Sequence, residues 1–468
     1  ENWIMQLAEN GKFYSYVKQV LNRQSMIPEL EVNGVVCRTD LEKANCLNQF
    51  FSSVFTVSDG FVPRFPSRTD AELSEIVFTQ RMVSAALRKM SSTYSSGVDG
   101  IPSVVMKKCA QSLALPLCTL FTSFFETGQL PTDWLRANVT PIYKGAGSAK
   151  HPTNYRGVSL TASASKVMER CVKDAILEHL LENNLLNTHQ HGFLPKKSTL
   201  TELLECLNDW MAVIEQGMHV DVVYIDLRKA FDSVDHDKLL LKCEAYGIKG
   251  KVLNFVRAFL KNRWQRVKVG EAFSDWSRVT SGVPQGTVLG PLLFLIYIND
   301  LPDVMRACKI KLYADDAKAF GSRKRSDSCV IGLQRDLTSL QLWCEEWQMR
   351  INGNKCSLLE IGWNRLGDTR YVLGGAQAPI EACVKDLGVK VSGRLTFSEH
   401  CSFVCANASR RVGLIYRAFG SRNLEFMIGM FTTYIRPLLE YNTEIWSPCY
   451  LQDIDRIESI QRRFTKRI

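Results

Sequence analysis

Two adjacent carboxylates at a tight turn constrain the fold of this chain more than any other feature. Asp315 and Asp316 stand between two short runs, at 309–312 and 317–320, that read as strands. The acids are therefore expected at or beside a hairpin turn. Neighbouring carboxylates repel each other, and a divalent cation that prefers oxygen ligands removes that repulsion. A plain turn is the alternative, because Asp favours turns for local hydrogen-bonding reasons.

A third carboxylate upstream favours the metal interpretation. Asp226 closes the apolar run at 222–225, which is typical of a strand buried on both faces. A carboxylate in this place is costly unless it is paired or binds a metal. Asp226 and Asp315 are 89 positions apart, so only folding can bring them together. Three such carboxylates can hold two metal ions about 3.5–4 Å apart, which suits phosphoryl transfer. The alternative for Asp226 is a cap on the segment that follows.

Three motifs in one order resemble those of reverse transcriptases. They are YIDLRKAFDSVDH at 224–236, SGVPQGTVLGP at 281–291 and YADD at 313–316. The resemblance is to non-LTR (LINE-type) retrotransposons of the jockey-like branch, and it covers residues 49–467. Several motifs in a fixed order are far more specific than any one alone. The resemblance implies an α+β right-hand polymerase with fingers, palm and thumb. Its palm would hold an antiparallel sheet, and its N-terminal extension and thumb would be helical.

The expected division of the chain follows from this resemblance and from hydrophobic periodicity. Residues 1–90 would form the mostly helical extension, 91–220 the fingers and the start of the palm, 221–397 the palm with the catalytic motifs, and 398–468 the thumb. Helical spacing predicts helices at 41–54, 79–90, 202–216, 291–301, 329–346, 401–418, 424–439 and 451–468. A long hairpin is predicted from strands at 139–144 and 155–160, with a tip rich in Gly, Ser and Pro.

The resemblance assigns the catalytic and metal-binding roles to the motif acids. Asp226, Asp315 and Asp316 are the catalytic carboxylates and would bind two Mg²⁺ ions. The resemblance implies that the backbone carbonyl of Leu227 would be a further metal ligand. Mn²⁺ would substitute for Mg²⁺.

The nucleotide site is predicted from the hairpin and from the first two motifs. On the hairpin strands, Lys144 and Arg156 would grip a triphosphate, Arg in bidentate fashion and Lys as a point charge. Solvated surface charge is the alternative for both. The family usually has proline after the arginine, whereas this chain has Gly157, which loosens the backbone there.

The resemblance implies further nucleotide contacts. Phe231 would lie under the sugar and exclude a 2′-hydroxyl, and the backbone N–H groups of Lys229 and Ala230 would contact the triphosphate. Gln285 would reach the base or sugar, and Lys355 would help protonate the leaving pyrophosphate. Each has an ordinary alternative: a core position for Phe231, a strand-to-helix link around Gln285 and a surface charge for Lys355.

Template and primer contacts are predicted at several loops and on the last helix. Ser198 equally suits the N-cap of the helix that follows it, and the thumb arginines equally suit a solvated helix face. The predicted residues are Gly97, Asp99, Lys196, Lys197, Ser198, Tyr313, Leu387, Gly388, Arg462 and Arg463.

Composition agrees with a nucleic-acid partner without requiring one. The chain has 58 Lys and Arg against 48 Asp and Glu, a formal net charge of +10, which suits a polyanion. Its 15 cysteines have no regular spacing and are expected to be reduced, intracellular thiols. The longest apolar run, at 291–298, is too short for a membrane span, so no membrane is expected.

The expected function is RNA-directed DNA synthesis in a non-LTR retrotransposon, primed at the insertion target. The partners would be an RNA template, a DNA primer or nicked target DNA, and dNTPs. The chain begins at Glu1 rather than Met, and an endonuclease domain is expected upstream of it. Nuclear action with a cytoplasmic ribonucleoprotein stage is implied.

Three other functions stay open. An intron-maturase-type protein shares the polymerase fold, and a catalytically silent nucleic-acid binder could descend from a mobile element. An RNA-dependent RNA polymerase is disfavoured by the aromatic Phe231.

Overall fold

The computed structural model describes residues 27–467 except 33, 325–326, 328–329, 363–369 and 421–422. The helices, in chain order, are α1 Asp40–Ser53, α2 Gln80–Arg88, α3 Ser103–Lys108, α4 Ala110–Thr127, α5 Ser163–Glu182, α6 Thr199–Glu215, α7 Ala230–Ser233, α8 His236–Ala245, α9 Gly250–Leu260, α10 Gly290–Ile298, α11 Ile331–Glu346, α12 Ser398–Ala418, α13 Leu424–Tyr434, α14 Arg436–Glu440, α15 Thr443–Trp446 and α16 Leu451–Thr465. Four short 3₁₀ helices lie at Thr132–Trp134, Pro152–Asn154, Leu301–Val304 and Gly353–Lys355.

The strands are shorter and more scattered than the helices. In chain order they are β1 Leu30–Val32, β2 Val35–Cys37, β3 Arg136–Tyr143, β4 Tyr155–Leu160, β5 His219–Asp226, β6 Arg263–Val269, β7 Ala272–Phe273, β8 Ser277–Val279, β9 Lys309–Tyr313, β10 Asp316–Arg323, β11 Ser357–Ile361, β12 Val372–Leu373, β13 Ala376–Gln377, β14 Ile380–Glu381, β15 Cys383–Asp386 and β16 Val389–Ser392.

A five-stranded central sheet carries the motif carboxylates. Its strand order is β14-β11-β5-β10-β9, and all neighbours are antiparallel except β11 and β14. Strand β5 lies in the middle, and its alternate side chains enter two different cores because strand side chains alternate between faces. Val223 and Ile225 join the larger core, whereas Val220 and Val222 join the core shared with the C-terminal helices. The sheet is thus a layer between two helical layers.

A second sheet holds the predicted long hairpin. Strands β3 and β4 pair antiparallel, with Val139 opposite Ser159 and Ile142 opposite Arg156, which confirms the hairpin. Strand β6 extends this sheet by pairing parallel to β3. Helix α1 covers it through a small separate core that includes Leu47, Phe51 and Val267.

The N-terminal extension is helical only in part. The helices expected at 41–54 and 79–90 are confirmed as α1 and α2. The β1–β2 hairpin was not predicted. The connection at 54–79 contains no helix, in agreement with the loop that Pro63, Pro66 and Ser67 indicate in the sequence. Residues 1–26 of the predicted extension lie outside the described residues.

The C-terminal region is a bundle of helices α12 to α16. Helices α12 and α16 pack on each other. The single helix expected at 424–439 is wrong, because the chain forms α13 and α14 with a break at Ile435. Pro437 lies at the start of α14, where its missing N–H costs nothing and where a continuous helix would have lost a hydrogen bond.

Candidate active site

Strand pairing brings the three motif aspartates together. Asp226 is the last residue of β5 and Asp316 the first of β10, and the two are direct partners across the antiparallel ladder. Asp315 lies in the turn between β9 and β10. Its neighbour Ala314 has φ of 54°, a left-handed conformation that is uncommon for a residue with a side chain.

The electrostatics of these carboxylates show unbalanced negative charge. Desolvation and repulsion from Asp226 raise the pKa of Asp315, against the attraction of Arg156. Desolvation raises the pKa of Asp316 to about 6, with further repulsion from Asp315, Asp386 and Asp226, while Lys318 opposes the rise. Clustered carboxylates with raised pKa values are a donor set that suits a hard divalent cation.

The aspartates are adjacent without forming a closed cage. Across residues 27–467, leaving out the undescribed gaps, no three His, Cys, Asp or Glu side chains are arranged to hold a metal ion. The fit to a divalent cation rests on the carboxylate oxygens themselves and on the direct pairing of Asp226 with Asp316.

Four cations converge opposite the carboxylates. Desolvation and repulsion from Lys229, Lys355 and Arg156 lower the pKa of Lys144 to about 8. The Lys144 ammonium donates to the carbonyl of Thr153 at 2.8 Å. Within the part of the chain that the structure describes, none of the four cations has a carboxylate within 4.0 Å. Unpaired, mutually repelling cations are the arrangement that a polyphosphate stabilises. The ammonium of Lys229 is an addition, because only its backbone N–H was predicted to contribute.

Phe231, the residue predicted to exclude a 2′-hydroxyl and called the sugar gate below, is packed between two aromatic rings. Phe231 stacks on Phe294 with ring centroids 4.1 Å apart and an angle of 19° between the planes. Phe193 meets it edge-on, at 6.3 Å and 89°.

Gln285 lies close to Asp232, the residue that follows Phe231. Its side-chain amide is 3.5 Å from a carboxylate oxygen of Asp232, and its backbone carbonyl accepts the N–H of Ser159 on β4 at 2.7 Å. The next residue, Gly286, has φ of 107°, and a Cβ there would lie 2.6 Å from the Ser159 carbonyl, so only glycine fits. The second motif is thereby fixed against the hairpin that carries Arg156.

Comparison with known proteins decides the family. The model of the family described as reverse transcriptase (RNA-dependent DNA polymerase) matches residues 146–391, which is more than half of the chain. The chain is a member of the reverse transcriptase family.

Three of the curated proteins that this chain resembles come from Drosophila melanogaster retrotransposons. It is 25% identical to the probable RNA-directed DNA polymerase from transposon BS, over 93% of this chain and 50% of that protein. It is 26% identical to the probable RNA-directed DNA polymerase from transposon X-element, over 94% and 50%. It is also 26% identical to the RNA-directed DNA polymerase from mobile element jockey, over 93% and 50%. The predicted resemblance to the jockey-like branch is confirmed, and the chain spans about half the length of these relatives.

Several predicted template and primer residues already have partners within the reverse transcriptase. The hydroxyl of Ser198 accepts the N–H of Thr201 and caps α6, which is the alternative role. Lys197 donates to Thr188 and Glu205, both at 3.3 Å. Asp99 accepts the N–H of Ser163 at 2.7 Å at the start of α5. A nucleic-acid role for these three side chains stays a prediction.

The remaining predicted positions are split between tight packing and exposure. A Cβ on Gly97 would lie 2.2 Å from the carbonyl of Thr161, so this glycine allows close packing. Lys196 is exposed, with φ of 60°. Arg462 and Arg463 lie on the exposed face of α16, where the Arg462 side chain is 60% exposed.

The predicted primer turn is bound to the C-terminal bundle. Leu387 has φ of 43°, and its carbonyl accepts the hydroxyl of Tyr441 at 3.0 Å. A Cβ on Gly388 would lie 2.9 Å from the Tyr441 ring. The same hydroxyl is 3.0 Å from that of Thr199, at the start of α6. Tyr313, which was also predicted to contact the primer, is half-buried at the end of β9.

Two buried groups near the site were missed by sequence analysis. Gln190 is 3% exposed, and its side-chain carbonyl accepts the N–H groups of Gly192 at 2.7 Å and Ala314 at 2.9 Å. Lys318 lies two residues after Asp316 and is paired with the buried acids Glu202 and Asp386. A lysine inside an alternating strand gives no sequence signal for such pairing. The described residues contain no helix that is long and apolar enough to cross a membrane.

Proposed function

We propose that this chain is an RNA-directed DNA polymerase that extends the 3′-hydroxyl of a DNA primer on an RNA template. The observation that carries this proposal is the pairing of Asp226 with Asp316 across β5 and β10, with Asp315 beside them. The proposal is supported by the membership of the chain in the reverse transcriptase family.

The three aspartates and the Leu227 carbonyl would hold two Mg²⁺ ions, and Mn²⁺ is expected to substitute. When bound, two such metal ions would activate the attacking hydroxyl and neutralise the charge of the leaving oxygen. The raised pKa values of Asp315 and Asp316 support this assignment, because a bound cation would offset both the burial of these carboxylates and the repulsion from neighbouring acids.

The other site residues bind and orient the nucleotide. Lys144, Arg156, Lys229 and Lys355 would neutralise the triphosphate, which stabilises charge as it develops on the phosphates. They are suited to this role because they repel one another when no anion is present. Phe231 would exclude the 2′-hydroxyl and so favour dNTPs over NTPs. Gln285, held by β4 and beside Asp232, would contact the base or sugar.

Synthesis is proposed to be primed at a nicked DNA target, as in the mode implied for non-LTR elements. The nick would come from an endonuclease domain outside this sequence. Action in the nucleus, with a cytoplasmic ribonucleoprotein stage, goes with this proposal. The α16 arginines and the Leu387–Gly388 turn would contact the template–primer duplex through its backbone, so binding should weaken as salt rises.

Primer extension tests the proposal directly. The assay uses an RNA template, a DNA primer and Mg²⁺, with dNTPs and NTPs in parallel reactions. We expect extension with dNTPs and little with NTPs, and loss of extension in Asp315→Ala with RNA binding retained. Absence of extension together with tight, salt-sensitive RNA binding would instead support a silent binding protein. Help to RNA splicing without dNTPs would support a maturase.

A further inference from the structure

We infer that Phe193 is a specificity-determining residue that holds the sugar gate Phe231 in place and so sets the preference for dNTPs over NTPs. This inference rests on the proposed function, because it needs Phe231 to face the nucleotide sugar.

The gate ring is supported by two aromatic residues from separate segments. The fully buried Phe294 of α10 covers one face of Phe231 at 4.1 Å. Phe193 contacts it at a right angle, at 6.3 Å. A stacked ring leaves sliding in the plane possible, whereas an edge-on neighbour on another side opposes that motion. A steric gate discriminates only as well as its ring resists displacement by the 2′-hydroxyl.

Phe193 occupies its position at a conformational cost. It has φ of 58°, in the left-handed region that bulky residues avoid, and its side chain remains 50% exposed. Burial therefore does not explain why a phenylalanine is held there. A residue kept in such a conformation points to a constraint imposed by its surroundings and to a functional hypothesis.

The backbone conformation of Phe193 is constrained by hydrogen bonds and close packing between the preceding residues and the turn that carries Asp315. His191 donates its N–H to the carbonyl of Leu312 at 2.8 Å, and Leu312 donates back to His189 at 3.0 Å. Gly192 lies so close to the turn that a Cβ on it would be 2.4 Å from the backbone nitrogen of Ala314.

Gln190 completes the connection. Its buried side-chain carbonyl accepts N–H groups from both Gly192 and Ala314. Residues 189–193 therefore connect the turn that carries Asp315 to the ring of Phe193, which contacts Phe231. The gate and the catalytic carboxylates are positioned against the same short segment.

The test measures kcat/KM for a dNTP and for the matching NTP in single-nucleotide extension on an RNA template. An edge-on aromatic contact corresponds to a selectivity change of about 2- to 10-fold. In Phe193→Ala we expect the dNTP/NTP ratio of kcat/KM to fall by about this factor through faster use of the NTP. Phe193→Tyr keeps the ring and should keep the ratio.

Two controls separate this effect from general damage. Phe61 is similarly exposed, at 58%, but its ring faces Lys238, so Phe61→Ala should leave the ratio unchanged. Phe231→Ala should lower the ratio further than Phe193→Ala. An unchanged ratio in Phe193→Ala, or equal losses for both nucleotides, would overturn the inference while the proposed function stands. Failure of the unsubstituted protein to extend with dNTPs would instead remove the proposed function.

Discussion

Replacing Lys318 with methionine should destabilise the protein strongly, because this lysine, on β10, neutralises the buried acids Glu202 and Asp386. Its side chain is 3% exposed, and those of Glu202 and Asp386 are 1% and 5% exposed. The ammonium lies 2.5 Å from Asp386 and 3.3 Å from Glu202. Tyr224 donates a further hydrogen bond to Asp386 at 3.2 Å. Burial alone would lower the pKa of Lys318, but these acids raise it above its ordinary value.

The size of the effect follows from burial. Removing one partner of a buried ion pair costs about 3–5 kcal/mol, because the other charge stays buried without compensation. Methionine fills most of the volume of the lysine stem, so the loss is mainly electrostatic. Lys309 on the neighbouring strand gives a matched control, since it pairs with Asp209 at 2.7 Å while 59% exposed. Lys309→Met should cost no more than about 1 kcal/mol.

Urea unfolding at pH 8, followed by tryptophan fluorescence, measures both variants. Hydrogen exchange of the β5 and β10 amides reports the same loss locally. The cost of Lys318→Met should be smaller near pH 5.5, where Glu202 is protonated. Equal and small costs for Lys318→Met and Lys309→Met would refute the reasoning that this cluster is a charged, desolvated unit.

Three further substitutions give distinct expected results. Burial raises the pKa of Glu202 to about 7, from an ordinary value of 4.5. Between these two pH values the folded protein keeps a proton on Glu202 that the unfolded chain has lost, so the free energy of unfolding falls as pH rises from 4.5 to 7. Glu202→Gln should therefore stabilise the protein by about 1–3 kcal/mol above pH 7 and have little effect below pH 5, as measured by urea unfolding at both pH values. Gly192→Ala should lower extension sharply in a folded protein, because its Cβ would meet the backbone of Ala314, and extension with circular dichroism checks this. Arg156→Met should raise the KM for dNTPs about 10- to 100-fold, the effect of a lost charge-assisted hydrogen bond, in steady-state extension.

Matched controls keep these outcomes interpretable. A Cβ on Gly413 in α12 would meet nothing within 4 Å, so Gly413→Ala should leave extension intact. Arg278 is exposed on β8, and Arg278→Met should leave the KM unchanged. If Gly413→Ala loses as much activity as Gly192→Ala, the close approach to Ala314 is not the cause. An unchanged KM in Arg156→Met would contradict the triphosphate role.

The sequence predicted those parts of the site that depend on local pattern. The continuous apolar run before Asp226 and the two short runs around Asp315 predicted strands, and β5, β9 and β10 confirm them. The hairpin with Lys144 and Arg156 was found in the same way. The break between α13 and α14 could have been found from Pro437, whose missing N–H was given too little weight against an apolar helical pattern.

The parts that were missed depend on contacts between distant segments. Gln190 acts on Ala314, which is 124 positions away, and Lys318 pairs with Asp386, which is 68 positions away. No local periodicity marks a glutamine or a lysine that is used in this way. Ser198 was ambiguous because a helix cap and a phosphate contact require the same hydroxyl, and only the folded structure shows that Thr201 uses it.

The Mg²⁺ dependence of primer extension in single Asp→Asn variants is the most direct test of the proposed catalytic centre. Asp226→Asn, Asp315→Asn and Asp316→Asn are compared with Asp209→Asn, which removes a carboxylate paired with the exposed Lys309. We expect loss of dNTP incorporation in the first three variants at every Mg²⁺ concentration, with RNA binding retained, and near-normal incorporation in Asp209→Asn. Normal incorporation in any of the three motif variants would contradict the claim that the paired strand ends form the catalytic centre.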